Sequence, residues 1–196
     1  MLFSESGDEA LPGWVASLSG RPVVYATLGT VFNSRTPGLF EAIVDGLRGE
    51  PIELILTIGR DRDPAELGRQ PENVHIERYI PQSLLLPHCD LVLTHAGFST
   101  VAAALGHGLP VVSIPIDADQ PVNADRCVAL GVGITIEPGR RTPEAIRAAA
   151  DEVLRDPVYR RNAERVRDQI AGLPGPEHAV TLLEQLATEG RPMLAT

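Results

Sequence analysis

Three short stretches of this sequence put small and polar residues where an apolar run stops. In "DLVLTHAGFST" the run 90–95 ends on His95, and Gly97, Ser99 and Thr100 follow. In "TLGTVF", residues 27–32, the run 22–28 ends on Gly29 and Thr30. In "SIPIDADQ" a third run gives way to Asp119 and Gln120. A glycine after a strand lets the backbone turn tightly or approach a ligand closely. Ser99 or Thr100 can cap a following helix whose first N–H groups point outward, and such a helix start attracts anions. With the His95 ring beside it, this is an anion site, and a diphosphate is its natural occupant. Gly29 and Thr30 would clamp the same anion from the opposite side. Neither stretch is a phosphate loop of the Gly-Lys-Ser/Thr kind or a G-x-G-x-x-G turn, so no dinucleotide is indicated. Taken alone, His95 reads as a packed strand-end residue and Asp119-Gln120 as a helix cap. Only their combination points to a ligand.

These residues need elements to hold them. Runs 22–28, 52–58, 73–80, 90–95, 109–115 and 132–137 are short and mostly continuous in apolar character, the pattern of strands covered on both faces. Between them lie helical spacings: Leu39, Ile43, Val44 and Leu47; then Val101, Ala102 and Leu105; then 123–130, closed by Gly131. The alternation predicts a parallel sheet wrapped by helices. After Pro138 only helices follow, over 143–154, 157–171 and 176–186. Thr142-Pro143 and Asp156-Pro157 have the form of an N-cap followed by proline at the first helical position. The apolar residues of these three helices pack over a sheet edge or reach another domain. Gly106, Gly108 and Pro110 shape a helix-to-strand turn. Residues 1–20, acidic and without periodicity, read as a linker from a domain outside this chain. Residues 21–190 form the folded domain, and 191–196 a frayed tail.

Composition removes several function classes. The chain has 196 residues, with 17 Lys+Arg against 26 Asp+Glu for a formal net charge of -9. A nucleic-acid backbone would be repelled. The apolar runs are far shorter than the roughly 18 to 20 residues of a membrane helix, and the N-terminus is acidic rather than signal-like, which points to the cytoplasm. Cys89 and Cys127 have no C-x-x-C spacing and are expected as buried free thiols. His75, His88, His107 and His178 show no partner pattern and are expected at the surface or satisfied locally.

The stretch "YIPQSLLLPHCDLVLTHAGFSTVAAALGHGLPVVSIPIDADQ", residues 79–120, resembles the donor-binding signature of GT-B glycosyltransferases, those of plants and of bacterial natural-product synthesis that use UDP- or dTDP-sugars. The shared pattern runs from aromatic-x-Pro-Gln through His-x-Gly to Pro-x-x-x-Asp-Gln. The resemblance implies a Rossmann-like parallel sheet flanked by helices, one half of a GT-B fold with additional C-terminal helices. By position, Tyr79 would pack on the nucleobase, with Ile80 offering backbone hydrogen bonds and Gln82 nearby. His95, Gly97, Ser99 and Thr100, with Gly29 and Thr30, would hold the diphosphate, and Asp119 and Gln120 the sugar hydroxyls. Two departures stand out: the segment from Gln82 to His95 is two residues shorter than in plant members, and Ala103 replaces their ribose-binding glutamate. A deoxyribose donor such as a dTDP-sugar fits that loss.

The implied chemistry is inverting transfer of the sugar to a small natural-product acceptor, with no metal or other cofactor. The catalytic base, usually a histidine oriented by an acid, belongs to an N-terminal acceptor-binding domain or a second chain. None of the residues here is therefore assigned as catalytic, and the chain alone is expected to be inactive. Two alternatives stay open: a non-catalytic nucleotide-sugar binding module or subunit, and a sugar-nucleotide epimerase on the same framework. An epimerase would need carboxylates near the sugar carbon, for which Asp117 and Asp119 are the candidates.

Overall fold

The computed structural model describes residues 9–30 and 35–190. Residues 31 and 32 of the first glycine stretch, the start of the linker at 1–8 and the tail at 191–196 lie outside them. Six strands, β1 (Val23–Thr27), β2 (Glu53–Thr57), β3 (Val74–Glu77), β4 (Leu91–Thr94), β5 (Val111–Ser113) and β6 (Gly133–Thr135), make one sheet. All pairings are parallel and the order is β3-β2-β1-β4-β5-β6. Every residue of β1, β2, β4 and β5 is buried, as continuous apolar runs require when both faces are covered.

The run 73–80 is shorter as a strand than its apolar character implies. It leaves the sheet after Glu77, so Tyr79 and Ile80 belong to the loop that precedes α2 (Gln82–Leu85). Helices α1 (Leu39–Leu47) and α5 (Pro143–Arg155) cover one face, over a core of Val24, Ala26, Leu54, Leu56, Leu91 and Leu93. The other face carries Tyr25, Ile55, Val92 and Val111, and packs against α3 (Phe98–Gly106), α4 (Gln120–Ala129) and α6 (Pro157–Ala171). Each fully buried Leu or Ile contributes about 1.5 to 3 kcal/mol, and the two-sided core is built from many of them. α7 (Pro176–Glu189) buries none of its residues, so unlike α5 and α6 it does not pack over the sheet.

Local signals place the helix ends. Thr142 accepts from Ala145 N–H at 3.3 Å, and Asp156 from Val158 N–H at 2.9 Å. Gly131 closes α4 with φ of 65°, and Gly108 turns the chain after α3 with φ of 69°. Cys89 and Cys127 are buried free thiols, and burial holds their pKa values at about 12 and about 11. No helix is long and apolar enough to cross a membrane among the described residues.

The segment read as a linker is docked from Leu11 onward. Gly13–Ser17 forms a 3-10 turn with Val15 buried, and Leu11, Trp14 and Leu18 pack against the second core cluster. A cavity of about 200 Å³ lies between α1 and α5 at the far end of β1 and β2, lined by Pro22, Leu47, Ile52, Arg147 and Leu154. It is remote from the loops that carry Gly29 and His95.

Candidate functional site

In an open parallel sheet the crevice for a ligand forms beyond the strand C-termini where the strand order reverses. Here that point lies between the neighbours β1 and β4, and the two glycine stretches leave the sheet at that place. The structure therefore brings Gly29 and His95 together. A methyl group on Gly29 would stand 2.7 Å from His95 Cε1 and Nε2, and one on Gly97 would overlap the same ring. The imidazole is nested between two backbones that only glycine lets approach so closely.

His95 is half-buried, and burial pushes its pKa below the ordinary imidazole value. A hydrogen bond to the Thr27 backbone and the charge of Asp119 pull the other way. Thr94 Oγ1 lies 3.2 Å from Nδ1. Thr27 and Thr94 stand in register at the ends of β1 and β4, and the Thr27 hydroxyl accepts from Gly29 N–H at 3.4 Å.

The start of α3 differs from the expectation in one respect. Gly97, with φ of -61° and ψ of 136°, occupies the N-cap, and neither Ser99 nor Thr100 caps the helix. The N–H groups of residues 98–100, which have no intrahelical carbonyl to bond, face an end without a side-chain cap, the arrangement that favours an anion. Ser99 is exposed and Thr100 buried, so Ser99 is the more accessible hydroxyl.

Asp119 and Gln120 divide their tasks. Gln120 is 2% exposed, and its Oε1 accepts from the N–H groups of Ile116 at 2.7 Å and Asp117 at 2.9 Å, pinning the loop after β5. Asp119 is exposed at the N-cap of α4 but makes no capping bond. Its Oδ2 instead accepts from Asn123 Nδ2 at 2.7 Å, and the same nitrogen donates to the carbonyl of Ala96 at 3.0 Å. Asn123 thus ties the loop after β5 to the residue after His95. Ala96 and Ala118, at φ of 64° and 57°, hold left-handed conformations that cost a non-glycine residue about 1 to 2 kcal/mol. Each stands one residue from a candidate ligand group, and such strain collects where surrounding structure fixes a site. Asp117 Oδ2 also accepts from Arg35 Nη1 at 2.6 Å, joining the loop after β1 to the loop after β5.

At the far side of the crevice Tyr79 is 40% exposed and Ile80 only 2%. Tyr79 is no core residue. Its hydroxyl donates to Glu9 Oε2 at 2.9 Å, and the Arg60 guanidinium lies over its ring, 4.4 Å from the centroid. Gln82 opens α2, and the exposed Thr30 stands beyond Gly29. Ala103 is partly buried against the second core cluster, so the position of the plant glutamate offers no polar group. Among the described residues no group of three or more His, Cys, Asp or Glu side chains comes together to hold a metal ion.

Sequence reasoning missed Asn123, Arg35, Arg60 and Glu9. Their types carry no local signal, since each acts across a long stretch of chain.

The family of Erythromycin biosynthesis protein CIII-like, C-terminal domain, matches residues 42–186. The chain belongs to this family. It is 36% identical over 173 residues to demethyllactenocin mycarosyltransferase of Streptomyces fradiae, covering 88% of this chain and 37% of that protein. It is 38% identical over 176 residues to 4'-demethylrebeccamycin synthase of Lentzea aerocolonigenes, covering 89% and 41%. The fold superposes on spinosyn rhamnosyltransferase SpnG complexed with thymidine diphosphate with a TM-score of 0.82 at 27% identity, over 91% of this chain and 49% of that one. The chain spans about two fifths of the length of these curated relatives. The GT-B glycosyltransferase half expected from residues 79–120 is the fold that the family and the structural neighbours have.

Proposed function

We propose that this chain is the nucleotide-sugar donor-binding half of an inverting, metal-independent glycosyltransferase that moves a sugar from a UDP- or dTDP-sugar to a small natural-product acceptor. The observation that carries the reading is the His95 ring nested between Gly29 and Gly97 at the start of α3. Negative charge gathers on the departing diphosphate in the transition state, and fixed N–H donors at a helix start offset it without reorganising. The diphosphate lies along residues 97–100 and Gly29-Thr30, the base at Tyr79, Ile80 and Gln82, and the sugar hydroxyls at Asp119 and Gln120. Gln120 Oε1 is already engaged with backbone, so Gln120 serves the sugar through its amide nitrogen or through the loop it pins. The base that deprotonates the acceptor comes from an N-terminal acceptor-binding domain or partner chain.

Titration calorimetry of the chain with UDP and dTDP, with and without EDTA, tests the reading. Binding that EDTA leaves unchanged is the expected result. No heat and no NMR shift with either nucleotide at millimolar concentration would overturn it.

A further inference from the structure

Residues 9–19 form a strap with polar contacts to the start of β2, to β3 and to the loop beyond β3. The Trp14 ring stacks on His75 with centroids 4.1 Å apart and planes 5° from parallel. Trp14 Nε1 donates to Glu77 Oε1 at 3.2 Å, and Ser19 Oγ donates to the Glu53 carboxylate. Glu53 is 4% exposed, and its other oxygen lies 3.5 Å from His75 Nε2. His75 and Glu77 share one face of β3, since alternate strand residues point the same way. Tyr79 follows two residues later, and Glu9, at the far end of the strap, accepts from its hydroxyl at 2.9 Å. A short strand at the sheet edge that ends in a loop would not by itself fix an aromatic ring 40% exposed to solvent. The strap holds the strand through Trp14 and the ring through Glu9, while Arg60 covers the ring at 4.4 Å.

We infer that Glu9 is a positioning residue for the nucleobase, acting through the Tyr79 hydroxyl, and that the strap is part of the donor site. This rests on the reading of Tyr79 as the nucleobase platform. Fixing the ring before the base arrives removes an ordering cost from binding, so the strap contributes to affinity for the base and not for the phosphates. Because the strap also carries Trp14, the chain's one tryptophan, the coupling reports itself optically.

The test uses the full 196-residue chain with UDP, dTDP and, as the ligand without a base, inorganic pyrophosphate. UDP and dTDP are expected to change Trp14 fluorescence, and pyrophosphate to leave it unchanged. Glu9→Ala and Tyr79→Phe should each weaken UDP and dTDP by about three- to tenfold, the loss expected for one hydrogen bond, and leave pyrophosphate affinity intact. Glu9→Gln keeps an acceptor oxygen and should restore most of the affinity. The double variant Glu9→Ala/Tyr79→Phe should be no weaker than either single one. Wild-type affinity in Glu9→Ala, an equal loss for pyrophosphate, or additive losses in the double variant overturns the inference alone. Failure of the unaltered chain to bind UDP or dTDP at all overturns the donor-site reading as well.

Discussion

His95 and Asp119 sit about the same crevice with different chemistry to offer. His95→Ala should weaken nucleoside-diphosphate binding by roughly ten- to a hundredfold, since a hydrogen bond to a charged group is worth about 1.5 to 3 kcal/mol. Asp119→Ala should weaken the intact nucleotide sugar and leave the diphosphate unchanged. Paired titrations with UDP, dTDP and their glucose conjugates check both, and equal losses in Asp119→Ala would remove its sugar role. The pH dependence has a definite sign. Burial holds the folded pKa of His95 below the ordinary imidazole value of about 6.5, so in that window the unfolded chain binds more protons. Stability should therefore rise with pH through the window and fall as pH drops from 7.5 towards 5.5. His107 is shifted the same way by loss of solvent, so the His95 share is the part of this slope that His95→Asn removes in paired melts.

At the scale of elements, the turn from β4 into α3 has to bring backbone against a ring. Gly97 has φ of -61°, which any residue adopts, so alanine there meets no backbone strain. Its methyl would nevertheless overlap the His95 ring. Gly97→Ala should thus leave the chain folded, displace the imidazole and weaken diphosphate binding nearly as much as His95→Ala does. The cap of α6 gives the contrast. Asp156→Ala removes the bond to Val158 N–H, with an expected cost of about 1 kcal/mol and a fall in melting temperature of a few degrees. It should not change UDP or dTDP affinity, because α6 lies against α3 on the side away from the crevice mouth. Thermal melts run beside titrations separate the two variants. A loss of ligand affinity in Asp156→Ala would show that the site depends on helix packing rather than on the loop itself.

On the proposed reading the whole molecule supplies a place for the donor and for the charge that leaves with it. Among the described residues, Asn123 bonds the Asp119 carboxylate, and Thr94 and the Thr27 backbone contact the His95 ring, so on the proposed reading the base for an incoming hydroxyl comes from another domain or chain. Purified chain mixed with nucleotide sugar and small acceptors should therefore give no glycosylated product above background, although slow hydrolysis of the donor by water is compatible with an uncovered site. Adding an acceptor-binding half from a relative should restore transfer. Product from the chain alone, detected by mass spectrometry, would refute the division of labour. The two carboxylates that a nucleotide-sugar epimerase would need are engaged here, Asp117 by Arg35 and the Ala118 N–H and Asp119 by Asn123.

The six strands and, between them, α1, α3 and α4 were legible because continuous apolar runs and 3.6-residue spacing are local consequences of covering a sheet on both faces. The ends of α4, α5 and α6 were legible for the same reason, since Gly131, Thr142 and Asp156 act within three residues of themselves. The family was legible too, as a resemblance of types at fixed spacing. Ser99 and Thr100 were misread as caps because the identity of a cap depends on the φ and ψ of Gly97, which composition does not show. Ala96 and Ala118 carry no mark of their left-handed backbones, because alanine is the residue of ordinary helices. The docking of the segment read as a linker was not legible from Leu11 onward, since contacts such as Trp14 with Glu77 and Glu9 with Tyr79 join residues 63 and 70 positions apart. Pairings of that length are chosen by the folded surface and leave no periodicity in the chain. Sequence determined which elements form and where polar groups leave the sheet; only the tertiary structure decided which of those groups meet, because the parallel pairing of β1 with β4 sets Gly29 against His95.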